Sequence, residues 1–314
     1  MTIKDILKNN PLFNTAYKVL RSYMWVMESK YYSTKTPKQR KDIVAKRYKK
    51  ISGEELDWNN LLTYNEKIQW AKLYDDIPRK TKLADKYLVR DWVAEKIGES
   101  YLIPLLGVWD SFDAINFSKL PRQFVLKTNH ASGTNIIVSD KKNWDKKTAN
   151  QLFDNWLKVN YAYFSFYQMQ YEKIPPKIIA EEYLTDSNGE LPEFKFFCFD
   201  GEVHFCWFIL EDGNQRYGNI YDLQWNLQSW KFKGRDNTPY DLPKPANFEQ
   251  MVEIAKELSQ GFSHVRVDLY NVDGAIYFGE MTFTPSGGTR ELTPKEYNKI
   301  LGEQWKLDIH EVDR

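Results

Sequence analysis

The stretch HVRVDLYNVDGAIYFGEMTFTPSGG, from His264 to Gly288, reads as two strands about a turn at Asp273-Gly274. Alternation along the first strand puts Arg266 and Asp268 on one face and Val265, Val267 and Leu269 on the other. The second strand carries Glu280 and Thr282 on a shared face and runs into Pro285-Ser-Gly-Gly288, a loop whose glycines imply flexibility. An Arg, an Asp and a Glu converging beside such a loop suit a divalent cation and phosphate, because Mg²⁺ takes one or two carboxylates plus phosphate oxygens. Asp268 and Glu280 share a face only if the turn holds an odd number of unpaired residues or one strand carries a bulge, since a shift of one residue reverses every side chain. A three-residue loop, Val272-Asp273-Gly274 with Gly274 left-handed, meets that condition. The alternative for a lone hairpin is a set of solvated surface charges.

Around this hairpin lies a chain of 314 residues, 42% hydrophobic and 28% charged, sufficient for two or three domains with substantial cores. No apolar run approaches the roughly 18–20 residues that span a bilayer, and nothing resembles a signal peptide. Cys198 and Cys206 have no metal-ligand or disulfide spacing, which fits a reduced, cytoplasmic setting. A net charge of +1 argues against a general nucleic-acid binder. The charge is unevenly spread: Lys30 to Lys50 holds nine bases and one acid, Asp42. Before it, Ile3, Ile6, Leu7, Tyr17, Leu20, Tyr23, Met24 and Met27 recur at helical spacings. Two readings stand for this region: a helical extension packed on the body with a solvated basic face, or a peripheral contact with the inner, anionic face of a membrane or with a polyanionic glycan.

The pattern predicts helix over residues 1–60, then a helix from Thr63, its N-cap, with Glu66 completing a capping box. A second helix is expected from Lys80 to Ile97, a strand from Leu102 to Val108, and a strand–loop–strand from Pro121 to Val138. A helix from Lys146 to Asn160 follows, then an aromatic stretch (Tyr161, Tyr163, Phe164, Phe166, Tyr167, Tyr171) that suits either core or a sugar pocket. Strands are expected at Lys177–Leu184, Glu193–Asp200, Val203–Leu210, Gly218–Tyr221 and Trp225–Phe232, the last two extending one sheet. An amphipathic helix from Phe248 to Gly261 leads into the hairpin. The class is α+β, helices covering antiparallel sheets. The expected segments are 1–60, a basic helical extension; 61–120, an associated N-terminal region; and two subdomains, 121–184 and 185–314.

Lys127 ends a strand and precedes Thr128-Asn-His-Ala-Ser-Gly-Thr-Asn135, a loop able to offer backbone N–H groups to phosphate. Neither the Walker nor the Rossmann glycine pattern occurs in the chain. Taken together, Lys86, Lys127, Glu181-Glu182-Tyr183-Leu184, Glu193-x-Lys195, Arg266-x-Asp268, Glu280 and the Pro285 loop fall in the order of an ATP-grasp enzyme. Over roughly residues 60–305 the chain resembles the TupA-like ATP-grasp family of cell-envelope polysaccharide synthesis. The blocks that carry this are Tyr64-Asn-Glu-Lys-Ile-Gln-Trp70, Leu83-Ala-Asp-Lys-Tyr-Leu-Val-Arg90, Tyr101-Leu-Ile-Pro-Leu-Leu-Gly-Val-Trp-Asp110, Phe124 to Val138, and Arg266-Val-Asp-Leu-Tyr270 with Tyr277-Phe-Gly-Glu280 and Thr282-Phe-Thr-Pro285.

The resemblance implies an ATP-grasp fold with ATP and Mg²⁺ held between two subdomains. Lys86 and Lys127 would bind phosphate, with Ser132 and Gly133 of the loop. Glu181 would accept from the adenine amino group beside the backbone of Tyr183-Leu184, Glu193 would bind ribose, and Lys195 would reach phosphate. Asp268 and Glu280 would hold Mg²⁺, with Thr282 where many relatives have Asn, and Arg266 would steady charge on the transferred phosphoryl group. Ala131 stands where relatives are expected to carry the first loop glycine. His130 suits either phosphate contact or a satisfied loop position, while His204, His264 and His310 form no ligand pattern.

Such enzymes mostly activate a carboxylate as an acyl phosphate and let an amine attack it. The resemblance implies a glycan or uronic-acid substrate, or an amino acid, joined by an amide on an envelope polymer. The rivals are phosphorylation of a sugar hydroxyl, glycosyl transfer, against which the absence of any Asp-x-Asp weighs, and a non-catalytic binding module.

Overall fold

The computed structural model describes residues 11–75, 78–213 and 215–307. Ile3, Ile6, Leu7 and His310, singled out above, lie outside them. Two antiparallel sheets organise the chain. The smaller has the order β1 (Leu105–Trp109), β4 (Ile178–Glu182), β2 (Phe124–Thr128), β3 (Asn135–Val138). The larger runs β10 (Ala275–Thr282), β9 (His264–Val272), β5 (Glu193–Phe199), β6 (Glu202–Asp212), β7 (Gln215–Tyr221).

Helices cover the sheets as expected for α+β. In chain order they are α1 (Pro11–Ser33), α2 (Pro37–Ser52), α3 (Tyr64–Tyr74), α4 (Pro78–Ala84), α5 (Val89–Ile97), α6 (Lys146–Trp156), α7 (Tyr161–Phe164), α8 (Phe248–Ser259) and α9 (Glu296–Gln304). The alternation of β5 and β9 sends Phe194, Phe196, Cys198, Val265, Val267 and Leu269 into a core closed by α8. The opposite face of β5 and β6 buries Phe197, Phe199, Phe205 and Trp207 in a second core that includes Tyr64 and Ile68 of α3. A third core lies between the smaller sheet and Leu152, Phe153 and Trp156 of α6.

The capping box at Thr63 and Glu66 forms as read: the Thr63 hydroxyl accepts from Glu66 N, and the Glu66 carboxylate accepts from Thr63 N at 2.7 Å. Several element boundaries differ: the helix expected over 1–60 is, among the described residues, the pair α1 and α2 with 53–60 outside either, and the strand expected at Leu102–Val108 is Leu105–Trp109. The helix expected from Lys80 to Ile97 breaks at Asp85–Leu88, because the Asp85 carboxylate accepts from Tyr87 N (2.8 Å) and Leu88 N (3.2 Å) and forms a turn in place of the ladder. The helix expected to reach Asn160 stops at Trp156, and Asn160 instead caps α7 through Ala162 N. The strand expected over Trp225–Phe232 does not extend the larger sheet. Trp225 is left-handed (φ 68°), its ring stacks on Tyr221 at 3.9 Å, and its Nε1 donates to Leu242 O. Only β8 (Lys231–Phe232) remains extended there, paired with β11 (Leu292–Thr293).

The hairpin β9–β10 solves its register problem differently from the three-residue loop. The turn has two residues, Asp273 (φ 50°) and Gly274 (φ 91°), with Val272 paired to Ala275. The parity change comes from a bulge: Phe278 pairs with Leu269 and Glu280 with Asp268, leaving Gly279 between them unpaired. A Cβ at Gly279 would sit 3.0 Å from the Asp268 carbonyl oxygen, so glycine permits this close approach.

Candidate active site

One strand face gathers most of the charge. Asp268 lies opposite Lys195 on one side and Glu280 on the other, and Arg266 lies opposite Thr282. These groups bond each other directly. Arg266 donates to both Asp268 oxygens (2.6 and 2.7 Å), to Glu280 (3.2 Å) and to Thr282 (3.1 Å). Lys195 donates to Asp268 at 2.8 Å and pairs with Glu193, which also accepts from Arg216 at 2.7 Å. Thr282 donates to Glu280 at 2.8 Å.

The electrostatics follow from this packing. Burial pushes the Glu280 carboxyl up, but Lys86, Arg266 and Lys195 outweigh it and hold the group down at about 2. Burial lowers Lys195 while Asp268 and Glu193 raise it, and the net direction is upward. Both groups are therefore charged at neutral pH.

The facing wall comes from the smaller sheet and the turn after α4. Lys127, on β2, pairs with Glu181 on the neighbouring β4, and Arg90 lies 3.6 Å from the same carboxylate. The break at Asp85 places Lys86 over the loop that follows β2: its backbone N donates to Asn129 O (3.1 Å) and its ammonium to Ala131 O (2.6 Å). Burial, then the nearby Lys127, lower the Lys86 pKa against the pull of Glu280.

The loop is braced from within. Thr128 and Thr134 hydroxyls meet at 2.6 Å, and Asn129 donates to Asp85 and Pro175 O. Gly133 is left-handed (φ 72°), whereas Ala131 has an ordinary backbone, so alanine there carries no conformational penalty. His130 turns away: its Nε2 lies 3.1 Å from Val159 O, and burial drops it to about 4, so the ring is neutral and structural.

Between the walls is a cleft of about 410 Å³. Lys86, Lys127, Ser132, Gly133, Glu181, Tyr183 and Leu184 line it from one side, and Glu193, Lys195, Asp268 and Glu280 from the other. Arg266 and Thr282 line instead a second cavity of about 420 Å³, which adjoins the first through Ser132 and Glu280. The aromatic stretch splits. Tyr161, Phe164, Phe166 and Tyr171 line this second cavity, while Tyr163 and Tyr167 are core.

Several lining residues carry no signal in the sequence pattern. Arg216 enters from β7, and Arg47 and Lys72 come from helices outside the strand pattern. Lys72 is 1% exposed on α3, a helix buried on more than one face, so periodicity could not single it out. Burial and the neighbouring Arg47 bring its pKa down to about 7. The Pro285–Gly288 loop is not flexible as expected. Gln69 of α3 donates to Gly287 O and Gly288 O, and Pro285, Gly287 and Gly288 are buried.

The donor set suits Mg²⁺ brought in with phosphate. No group of three or more His, Cys, Asp or Glu could form a protein-only cage among the described residues, while Asp268, Glu280 and the Thr282 hydroxyl supply the one or two carboxylates that Mg²⁺ takes beside phosphate and water. An ion there would compete with Arg266 and Lys195 for Asp268.

A family model described as TupA-like ATPgrasp matches residues 66–306. Among solved structures, the chain is similar to D-alanine–D-alanine ligase from Bacillus anthracis complexed with ATP (17% identity, 65% of this chain and 55% of that one, TM-score 0.37). It is also similar to D-alanyl-alanine synthetase A from Vibrio cholerae (10% identity, 73% and 62%, TM-score 0.40) and to N5-carboxyaminoimidazole synthetase from Staphylococcus aureus complexed with ADP (11%, 65% and 44%, TM-score 0.35). The chain spans less than two thirds of the length of each of these three. A search of curated proteins finds no match. The family match covers most of the chain, from the capped helix α3 through α9, and on it the chain belongs to the TupA-like ATP-grasp family.

Proposed function

We propose that this protein is an ATP-dependent carboxylate–amine ligase acting on a carboxylated carbohydrate of an envelope polymer. The observation that carries this is the pair of adjoining cavities, which meet at Ser132 and Glu280. The first has lysines on one wall and carboxylates on the other, the requirement of a polyphosphate tail with its cation. Among the described residues, the second has Glu280 as its only acidic lining residue, against Arg266, Lys72 and Arg47. Among the described residues no acid pairs with Lys72 or Arg47, and aromatic and hydroxyl side chains fill the rest of the wall. That composition favours an anionic, polyhydroxylated acceptor.

ATP enters the first cleft with its adenine by Glu181, Tyr183 and Leu184 and its ribose by Glu193. Lys86, Lys127, Lys195 and the loop at Ser132-Gly133 take the phosphates. Glu181 is shared with Lys127 and Arg90, so adenine binding draws on a carboxylate already oriented by two cations. Asp268 and Glu280, with Thr282 beside them, would hold Mg²⁺, which would supply charge neutralisation at the terminal phosphate. Lys72 and Arg47 orient the acceptor so that its carboxylate faces the junction. A carboxylate oxygen bonds the γ-phosphorus and the bond to ADP breaks; an amine then bonds the acyl carbon, phosphate leaves, and the amine loses a proton. Arg266, fixed by Asp268, Glu280 and Thr282, steadies the charge that builds up.

The test is ADP release from ATP and Mg²⁺ with glucuronate or galacturonate, alone and with amino acids, and with hydroxylamine as a trap. Uronate-dependent ADP release with a trapped hydroxamate is expected. ADP release with glucose and no hydroxamate would make the protein a sugar kinase, and failure to bind ATP would end the nucleotide assignment.

A further inference from the structure

Helix α1 is seated with a stripe of large apolar residues pointing away from the protein. Val19, Ser22, Val26 and Ser29 form the inner face. Ser22 Oγ accepts from Asn155 at 2.9 Å, Ser29 Oγ accepts from Asn160 N at 3.0 Å, and Trp25 packs its ring 4.5 Å from Phe164. Tyr17, Leu20, Tyr23, Met24, Met27 and Tyr31 are each at least 50% exposed. At 100° per residue they occupy an arc of about 120°. Isolated exposed apolar residues are ordinary, but six on one stripe of a well-anchored helix are not.

The charges nearby decide what covers the stripe. α1 carries Lys18, Arg21 and Lys30 against one acid, Glu28, and the basic run through Lys50 follows directly. The Lys35 ammonium lies 3.6 Å over the Tyr31 ring at the end of the stripe. A second copy of the helix would bring these bases against each other, whereas anionic headgroups neutralise them. Beside the stripe, a groove of about 420 Å³ between α1 and β3 has Lys18 and Arg21 in its lining along with Trp25 and Ile137, the last 58% exposed. Apolar side chains at the acyl boundary, tyrosines at the interface and bases among the headgroups are what an interfacial helix presents. We infer that the outer face of α1 docks the protein on an anionic lipid bilayer. The stripe itself shares no lining residue with the nucleotide or acceptor cavity, although the groove beside it borders the nucleotide cleft at Gly133, Asn135 and Ile137, and the inference does not depend on the assignment of either cavity.

The experiment is sedimentation of the full chain with vesicles of phosphatidylcholine alone and of phosphatidylcholine mixed with phosphatidylglycerol. Binding to the mixed vesicles, weakened by added salt and lowered on the order of tenfold or more by Leu20→Glu with Met24→Glu, is expected. An unchanged thermal unfolding midpoint in that double variant shows that it folds. Absence of binding to anionic vesicles, equal binding to phosphatidylcholine alone, or equal binding by the double variant would each overturn the inference. So would a wild-type dimer, seen by light scattering, that the double variant converts to monomer, because the stripe would then be covered by a second copy.

Discussion

On the larger sheet the charges facing the cleft are regular strand residues locked to one another, whereas on the smaller sheet's side they arrive from a strand and from turns. Arg266, Asp268, Lys195, Glu280 and Thr282 form one bonded network whose geometry is set by strand pairing and a single bulge. Across the cleft, Lys127 pairs with Glu181, but Lys86 bonds only a loop carbonyl, and Ser132 and Gly133 depend on a loop braced by Thr128, Thr134 and Asn129. A register-built wall ties function to stability, while a turn-built wall lets one change without the other.

The largest expected effect breaks the first wall chemically. Glu280→Gln should lower kcat by on the order of 100-fold or more while much of the ATP affinity remains, measured by ADP release and by nucleotide titration. Normal turnover would remove Glu280 from the metal assignment. Next, Asp268→Ala strands Arg266 and Lys195 without their shared partner and should cost about 3–5 kcal/mol of unfolding free energy by denaturant titration. Lys86→Met, on the other wall, should weaken ATP binding by on the order of tenfold with a smaller loss of stability than Asp268→Ala, since it removes a half-buried cation that has no carboxylate within ion-pair distance. Equal stability losses in the two variants would erase the contrast between the walls.

A smaller effect sharpens the role of the bulge. Gly279→Ala places a methyl 3.0 Å from the Asp268 carbonyl and should cost about 1–3 kcal/mol, with turnover falling as Glu280 shifts. A pH signature concerns Lys72, whose pKa of about 7 lies below the ordinary 10.5. Between these values the unfolded chain binds the extra proton, so stability rises with pH across pH 7 to 10.5 and is lost as pH falls through that window. Lys72→Met should flatten this slope in thermal unfolding and raise the KM for a uronate acceptor, leaving the KM for ATP unchanged.

Much of the cleft was legible because strands obey a period of two. Arg266, Asp268, Glu193 and Lys195 needed only parity to be placed on one face, and the Thr63–Glu66 capping box needed only spacing. Glu280 was legible as a cleft residue by either of two routes, an odd-numbered turn or a bulge: parity demanded one extra residue, and only the packing of Gly279 against the Asp268 carbonyl shows where it goes. The helical pattern runs unbroken through Lys86, since nothing local distinguishes an Asp85 that starts a turn from one on a helix surface.

The chain's alternation and capping signals alone determined that an acidic strand face and a lysine-bearing strand–loop–strand exist, because those patterns act between residues a few positions apart. Only the tertiary structure decided that Lys72 and Arg47 meet beside that face, that the Pro285–Gly288 loop is pinned by Gln69, and that α1 turns its apolar side outward. Each of these depends on which surfaces distant segments bury against one another, and burial is a property of the folded whole that no short-range pattern encodes.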